Sequence, residues 1–154
     1  MTLAHYDYQV SEDLLNYEFW SNGPKGKIRK VVWFTRVNLQ ENFFFNLAFG
    51  DLDDNGIFND LVTSNNHDAE KILATVARSV ISFTNIYPNA LIFAEGSTLS
   101  RTRRYQMGIN KFWKEIEPNF KVFGLVKNEG FEPFRSGKNY TAFAVKRKNS
   151  NFII

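Results

Sequence analysis

The spacing of the apolar residues changes near the middle of the chain, and this change limits the possible folds more than any other feature. Before residue 50, apolar residues recur at the short spacing that is typical of strands, and the run Val31 to Phe34 is apolar on both faces, as in a central strand. After the run Asn66 to Asp68, which is typical of a helix start, the spacing becomes three and four residues up to Phe83. The sequence therefore predicts early strands followed by a helix.

Seven segments fit strands and two fit helices. The predicted strands cover residues 6–10, 17–20, 28–37, 43–49, 90–94, 121–126 and 140–146. The first helix begins near Asp68, and the second buries a stripe from Thr102 to Ile116 and ends at Pro118. The pattern predicts one α+β domain over residues 1–154, with a mixed, mostly antiparallel sheet and two main helices in the order β-β-β-β-α-β-α-β-β.

Composition excludes several classes of site. The chain has no cysteine, which excludes disulfides, thiol catalysis and thiolate zinc sites, and its two histidines, His5 and His67, are too few for a multi-histidine metal site. No apolar run approaches the roughly 20 residues that span a bilayer, and the N-terminus lacks the pattern of a signal peptide. We expect a cytoplasmic protein with no metal and no membrane partner.

The charge is distributed unevenly along the chain. Residues 1–87 carry 7 Lys and Arg against 11 Asp and Glu, whereas residues 88–154 carry 12 against 5. A basic C-terminal part is able to attract nucleic acid, a nucleotide or an acidic protein. It is equally consistent with a solvated surface, because most charged side chains are exposed in any case.

The segment from Phe93 to Trp113 is the strongest candidate for a site. It is typical of the end of a buried strand, a tight Gly-Ser-Thr turn and a helix with three arginines in its first two turns. Free N–H groups at a helix start, hydroxyls and guanidinium groups suit a phosphate or another anion. Helical spacing puts two of the arginines on neighbouring faces and the third, Arg103, on another. The predicted ligand-binding residues are Gly96, Ser97, Thr98, Arg101 and Arg104.

Two structural alternatives compete with this anion site. Arginines in a first helical turn oppose the positive end of the helix dipole, and either a bound anion or a local carboxylate such as Glu95 offsets that cost. Ser97 or Thr98 can equally serve only as the N-cap of the helix.

Three weaker signals occur elsewhere. His67 precedes the first predicted helix, where it is a candidate acid or base, although a lone histidine beside capping residues is more often a surface residue. The run Asp51 to Gly56 matches the opening of a calcium loop, but its twelfth position is Val62 instead of a carboxylate, and we interpret the run as an acidic turn. Aromatic and basic residues interleave at 33–36 and 131–140, which suits stacked nucleic-acid bases but also arises by chance among 16 phenylalanines.

The run from Asn65 to Lys148 resembles a family of uncharacterised bacterial proteins of about this length. The matching positions are 74–77, 96–98, 101–103, 105, 109 and 140–143. This resemblance implies that residues 96–105 are the signature of the family, and it implies no activity.

The predicted order of elements is also similar to that of the Gcn5-related N-acetyltransferase fold. That resemblance implies that the loop Val62 to Asp68 holds the pyrophosphate of an acyl-CoA and that Tyr105 protonates the departing thiolate. The loop contains no glycine, and the surroundings of Tyr105 are one residue short of the usual spacing to glycine.

We therefore expect a binding module with an anion site at Gly96–Arg104, whose ligand is nucleic acid, a nucleotide or an acidic protein surface. The first alternative is an acyltransferase that uses acetyl-CoA, with Tyr105 or His67 as a catalytic residue. The second alternative is a protein-interaction module with an aromatic surface.

Overall fold

The predicted strands and helices occur in the predicted order, and the structure adds two short strands that were not predicted, at residues 58–59 and 130–133. The computed structural model describes residues 3–39, 42–60 and 65–151. The strands in these ranges are β1 (Gln9–Val10), β2 (Asn16–Gly23), β3 (Gly26–Leu39), β4 (Asn42–Leu52), β5 (Phe58–Asn59), β6 (Ile92–Ala94), β7 (Phe120–Val126), β8 (Gly130–Pro133) and β9 (Ala142–Arg147). The helices are α1 (Ala69–Ile86), α2 (Leu99–Lys111) and the short α3 (Trp113–Ile116).

All of these strands belong to one open, mixed sheet. Its order is β1-β2-β3-β4-β6-β9-β7-β8, and β5 pairs separately with β4. The pair of β4 and β6 is parallel, as expected for two strands joined through α1, and the other pairs in the described ranges are antiparallel. The predicted fold class, an α+β arrangement with a mostly antiparallel sheet, is confirmed.

Several predicted boundaries differ from those in the structure. The strand expected from Tyr6 pairs with β2 only at Gln9 and Val10, because the Tyr6 N–H donates instead to Thr75 Oγ1 of α1 at 2.9 Å. The last strand begins at Ala142 and not at Tyr140. The predicted second helix divides into α2 and α3, because the backbone ψ of 16° at their junction departs from helical geometry.

Alternation along β2, β3 and β4 sends every second side chain towards α1. Phe34 is fully buried and stacks on Phe83 of α1 with ring centroids 4.1 Å apart. The other buried members of this core include Tyr17, Phe19, Val32, Phe45, Leu47, Phe49, Ile72 and Val76. Phenylalanine thus fills the layer between the sheet and α1, as its abundance suggests.

A second, smaller core lies where α2 and α3 pack on the other half of the sheet. It contains Val122, Phe134, Tyr140 and Phe143. Tyr105 of α2 packs against both cores and therefore lies at their boundary.

The opposite face of the sheet is rich in partly exposed aromatic rings. Trp20 and Trp33, on neighbouring strands, are 50% and 43% exposed. Phe58 meets Trp33 edge to face, and Phe93 meets Phe131 in the same way. These rings point away from the two cores, because their positions alternate with those of the buried residues.

None of the helices in the described ranges is long and apolar enough to cross a membrane.

Candidate functional site

The predicted site lies where β4 and β6 separate. The two strands pair from Phe45 to Leu47 on β4 and from Ile92 to Ala94 on β6. Beyond that point the next partner of β4 is β5, which begins to pair at Asp51. Phe49 pairs with β3 on one side of β4, but on the other side no described strand pairs with it, and its backbone carbonyl takes a donor from another element.

Arg101 of α2 supplies that donor. Its Nη1 donates to the carbonyl oxygen of Phe49 at 2.8 Å, and its guanidinium lies 5.9 Å from the centroid of the Phe49 ring. Arg101 is half-buried in this position. The contact fixes the first turn of α2 against the edge of β4.

The Gly96–Thr98 turn is held by hydrogen bonds within the chain. Thr98 is the N-cap of α2, and its side chain accepts from the N–H of Arg101 at 3.1 Å. Ser97 Oγ donates to the carbonyl of Asp60 at 2.7 Å, and the N–H of Gly96 donates to Thr102 Oγ1 at 3.0 Å. These bonds set the geometry of the turn before any ligand is present.

Glycine at position 96 is a steric requirement of this turn. A Cβ atom there would lie 2.3 Å from the backbone nitrogen of Thr102 and 2.7 Å from the carbonyl carbon of Arg101. Because both are backbone atoms, a side chain at 96 would force the helix start to move.

Two arginines at the start of α2 point to solvent. Arg103 and Arg104 are exposed, and neither has an ion-pair or hydrogen-bond partner among the residues that the structure describes. The first turn of α2 contains no acidic residue. Within the same ranges Glu95 forms no ion pair with these arginines, so the local carboxylate considered above does not offset their charge.

The structure thus separates the predicted site residues into two groups. Gly96, Ser97, Thr98 and Arg101 form and anchor the turn, whereas Arg104 is exposed to solvent. Arg101 and Arg104 were expected to act together, but Arg101 is directed to the sheet. Ligand binding by the set stays a prediction.

Tyr105, a candidate catalytic residue, lines a cavity behind the turn. Burial raises its pKa to about 12, with a smaller lowering by Arg101 and a smaller raising by Asp60. Its hydroxyl has no hydrogen-bond partner in the described part of the chain. The phenol is therefore a protonated, unused donor at neutral pH.

His67, the other candidate, lies in the segment that precedes α1. It is exposed and has a backbone φ of 59°. Residues 61–64 of the preceding loop, including Val62, lie outside the described residues. The described contacts do not bring His67 to Tyr105, and a shared catalytic role has no geometric support.

Next to His67, Asp68 takes part in a network that the sequence did not indicate. Tyr6 Oη and Ser21 Oγ donate to its Oδ2 at 2.6 and 2.5 Å. Its other oxygen, Oδ1, is buried without a partner among the described residues. Asp68 is at the N-cap position of α1 but makes no side-chain cap bond, because its carboxylate turns towards the sheet.

A buried ion pair near Phe49 was also not predicted from the sequence. Lys30 is 2% exposed, and its Nζ lies 2.5 Å from Oδ1 of Asp51, its cross-strand partner. The available signal was the even spacing of Lys30 with Val32 and Phe34, which places it on the core side of β3.

The calcium-like run forms a turn. Asp51 contacts Lys30, and Asp53 Oδ1 accepts from the N–H groups of Asn55 and Ile57 at 2.9 and 2.8 Å. The described residues contain no group of three histidine or carboxylate side chains arranged to hold a metal ion.

With this geometry established, comparison with known proteins identifies a family. A family model matches residues 2–148, and its description is a family of unknown function, DUF6934. The chain belongs to this family. Neither a curated protein nor a solved structure matches it. Membership of an uncharacterised family is thereby confirmed, while the acetyltransferase resemblance stays a prediction.

Proposed function

We propose that the protein is a binding module that holds an anionic ligand at the segment Gly96–Arg104. The observation that carries the proposal is the positive charge of Arg103 and Arg104 at the start of α2, which no described residue pairs. The first N–H groups of a helix lack intrahelical acceptors, and they add to the same positive end. An anion offsets all of these groups at once.

Arg101 acts in this proposal as a positioning residue. Its hydrogen bond to the Phe49 carbonyl holds the start of α2 against β4, and this contact fixes the position of the helix that carries Arg103 and Arg104. The Thr98 cap and the hydrogen bond from the Gly96 N–H to Thr102 hold the same turn. A preorganised site loses less conformational entropy when a ligand binds.

Among nucleic acid, a nucleotide and an acidic protein, the outer face of α2 favours an acidic protein surface. Leu99 and Met107 are 84% and 61% exposed. They lie four residues before and after Arg103, and therefore on the same side of the helix. A face that mixes exposed apolar and cationic side chains matches an acidic protein segment with apolar residues better than it matches a phosphate backbone.

The test compares two double variants with the same change in net charge. Arg103→Glu with Arg104→Glu removes the proposed contacts, whereas Lys114→Glu with Lys127→Glu alters two exposed lysines elsewhere. Fluorescence polarisation measures binding of labelled polyglutamate, a single-stranded oligonucleotide and a labelled nucleotide. We expect the arginine variant to lose about tenfold or more in affinity for polyglutamate, since two surface charge pairs together contribute about 1.4 kcal/mol.

The lysine variant should bind within about twofold of the wild type, a change within the range of surface substitutions. Equal losses in the two variants would mean that only net charge matters, and unchanged binding by the arginine variant would refute the site. Tighter binding of the oligonucleotide or the nucleotide would reassign the ligand class.

A second candidate is an acyl-CoA-dependent transferase. It is favoured by the protonated hydroxyl of Tyr105 on a cavity wall and by the order of strands and helices. Acetyl-CoA should then raise the melting temperature, because a ligand that binds only the folded state stabilises it. No shift at millimolar acetyl-CoA, with a shift by polyglutamate, would favour the binding module.

A third candidate is an interaction module that uses the aromatic sheet face. The exposed rings of Trp20 and Trp33 favour it, since large exposed apolar patches mark interaction surfaces. Size-exclusion chromatography of the wild type and of Trp20→Ser with Trp33→Ser tests it. An oligomer that dissociates in the variant would support this role, and a monomer in both cases would count against self-association.

A further inference from the structure

A cavity of about 120 Å³ lies between α1, α2 and the sheet. Leu73, Val76 and Ala77 of α1 form one wall, and Ile109 of α2 and Phe143 of β9 form others. Gly108, where α2 approaches Leu73, also lines the cavity. The small residues at 77 and 108 leave space that larger side chains would fill.

The lining is almost wholly apolar. Among the described residues that line the cavity, Tyr105 and Glu115 have polar side chains and none is Lys, Arg or His. A cavity of this kind does not satisfy water, which needs two or more polar partners. An anionic ligand would meet the Glu115 carboxylate and no cationic side chain among the described lining residues. A cationic ligand would find a partner only at Glu115, so the rest of the lining favours an uncharged ligand.

Tyr105, at the boundary of the two cores, supplies a hydrogen-bond donor among the described side chains that line the cavity. Its hydroxyl makes no hydrogen bond with the described residues, and burial holds its pKa at about 12, so it stays protonated. A hydroxyl without a protein acceptor is able to donate to an acceptor on a ligand.

We propose that this cavity binds a small uncharged molecule with an apolar body of about five or six non-hydrogen atoms and one acceptor oxygen that takes a hydrogen bond from Tyr105. Ketones, esters and the acyl part of thioesters have this chemistry. The cavity lies beneath α2, whereas Arg103 and Arg104 are on the outer face, so this inference is independent of the anion site.

The experiment uses two ring compounds that differ in one oxygen atom. Cyclopentanone and cyclopentane are titrated into the protein while methyl resonances are followed by NMR. We expect saturable shifts at the methyl groups of Leu73, Val76 and Ile109, with dissociation constants on the order of a millimolar for ligands of this size. Cyclopentanone should bind the more tightly.

Tyr105→Phe separates the hydrogen bond from the cavity. It should weaken cyclopentanone binding about tenfold and leave cyclopentane binding unchanged. Ala77→Leu, which fills the space, should abolish both, while Arg103→Glu with Arg104→Glu should alter neither. Absence of saturable shifts at the cavity methyl groups would overturn the proposal. The proposal would also be overturned if the two compounds bound with equal affinity and Tyr105→Phe changed neither affinity, because the ligand would then need no acceptor oxygen.

Discussion

Tyr17 buries a hydroxyl that has no hydrogen-bond partner in the described part of the chain. The side chain is 1% exposed, and its ring packs against Phe34 and Tyr8. Burial raises its pKa to about 12, with smaller contributions from Tyr8 and Tyr87. The aromatic ring therefore stabilises the core, and the hydroxyl opposes that effect.

Tyr17→Phe should stabilise the protein by about 1 kcal/mol at pH 7, because it removes an unsatisfied polar group and keeps the ring. Urea unfolding measures the change. Tyr8→Phe is the matched control, since Tyr8 Oη shares a hydrogen bond with Ser82 Oγ, and its loss should destabilise by about the same amount. Equal destabilisation in the two variants would show that Tyr17 has a partner.

The same residue predicts a response to alkali. Its pKa in the folded state lies above the ordinary value of 10.0, so folding favours the neutral phenol. This contribution of Tyr17 to the free energy of unfolding is fully present below pH 10 and is lost as the pH rises through about 12. Between these values the Tyr17 hydroxyl ionises in the unfolded chain but not in the folded one. The stability gap between Tyr17→Phe and the wild type should therefore widen from pH 9 to pH 12. A constant gap would contradict the raised pKa.

At the scale of elements, the start of α2 depends on the Thr98 cap and on the close backbone approach at Gly96. Thr98→Ala removes the cap and should cost about 1 kcal/mol, whereas Ser100→Ala, an exposed change in the same turn, should stay within about 0.5 kcal/mol. Gly96→Ala should cost about 1–3 kcal/mol, since its Cβ would overlap the backbone of Thr102. Thermal unfolding of the three variants checks this order, and a neutral Gly96→Ala would contradict the tight turn.

The elements themselves were predictable because their signals are local. The spacing from Ala69 to Phe83 describes a helix whatever it packs against, and alternation along β2 and β3 describes a sheet with one buried face. Turn residues then separate the segments. The order of the seven predicted strands and the two main helices follows from these patterns, whereas the short strands β5 and β8 were not predicted.

The contacts of the candidate site were not predictable because they join distant parts of the chain. Arg101 and Phe49 are 52 residues apart, and their bond depends on where β4 and β6 separate. Asp68 and Tyr6 are 62 residues apart, and their hydrogen bond directs the carboxylate of Asp68 away from the start of α1 and towards the sheet. The sequence shows where the arginines are along α2, but only the folded structure distinguishes Arg101, which bonds to β4, from the exposed Arg104.

For the whole molecule, the sheet carries its two cores on one face and its exposed aromatic rings on the other. The basic C-terminal part of the chain contributes α2, which bears the exposed Arg103 and Arg104. Attraction through such charges weakens with salt, since ions screen it over about 10 Å at 0.1 M. Polyglutamate affinity should therefore fall as sodium chloride rises from 50 to 300 mM, and this dependence should be smaller in Arg103→Glu with Arg104→Glu.

The most direct test of anion binding at the start of α2 is a titration of ¹⁵N-labelled protein with polyglutamate, followed by amide chemical shifts. We predict that the amides from Leu99 to Arg104 shift first and saturate together, and that they stay unshifted in Arg103→Glu with Arg104→Glu. Shifts confined to other basic positions, such as Lys146 to Lys148, with Leu99 to Arg104 unmoved, would contradict the proposed site.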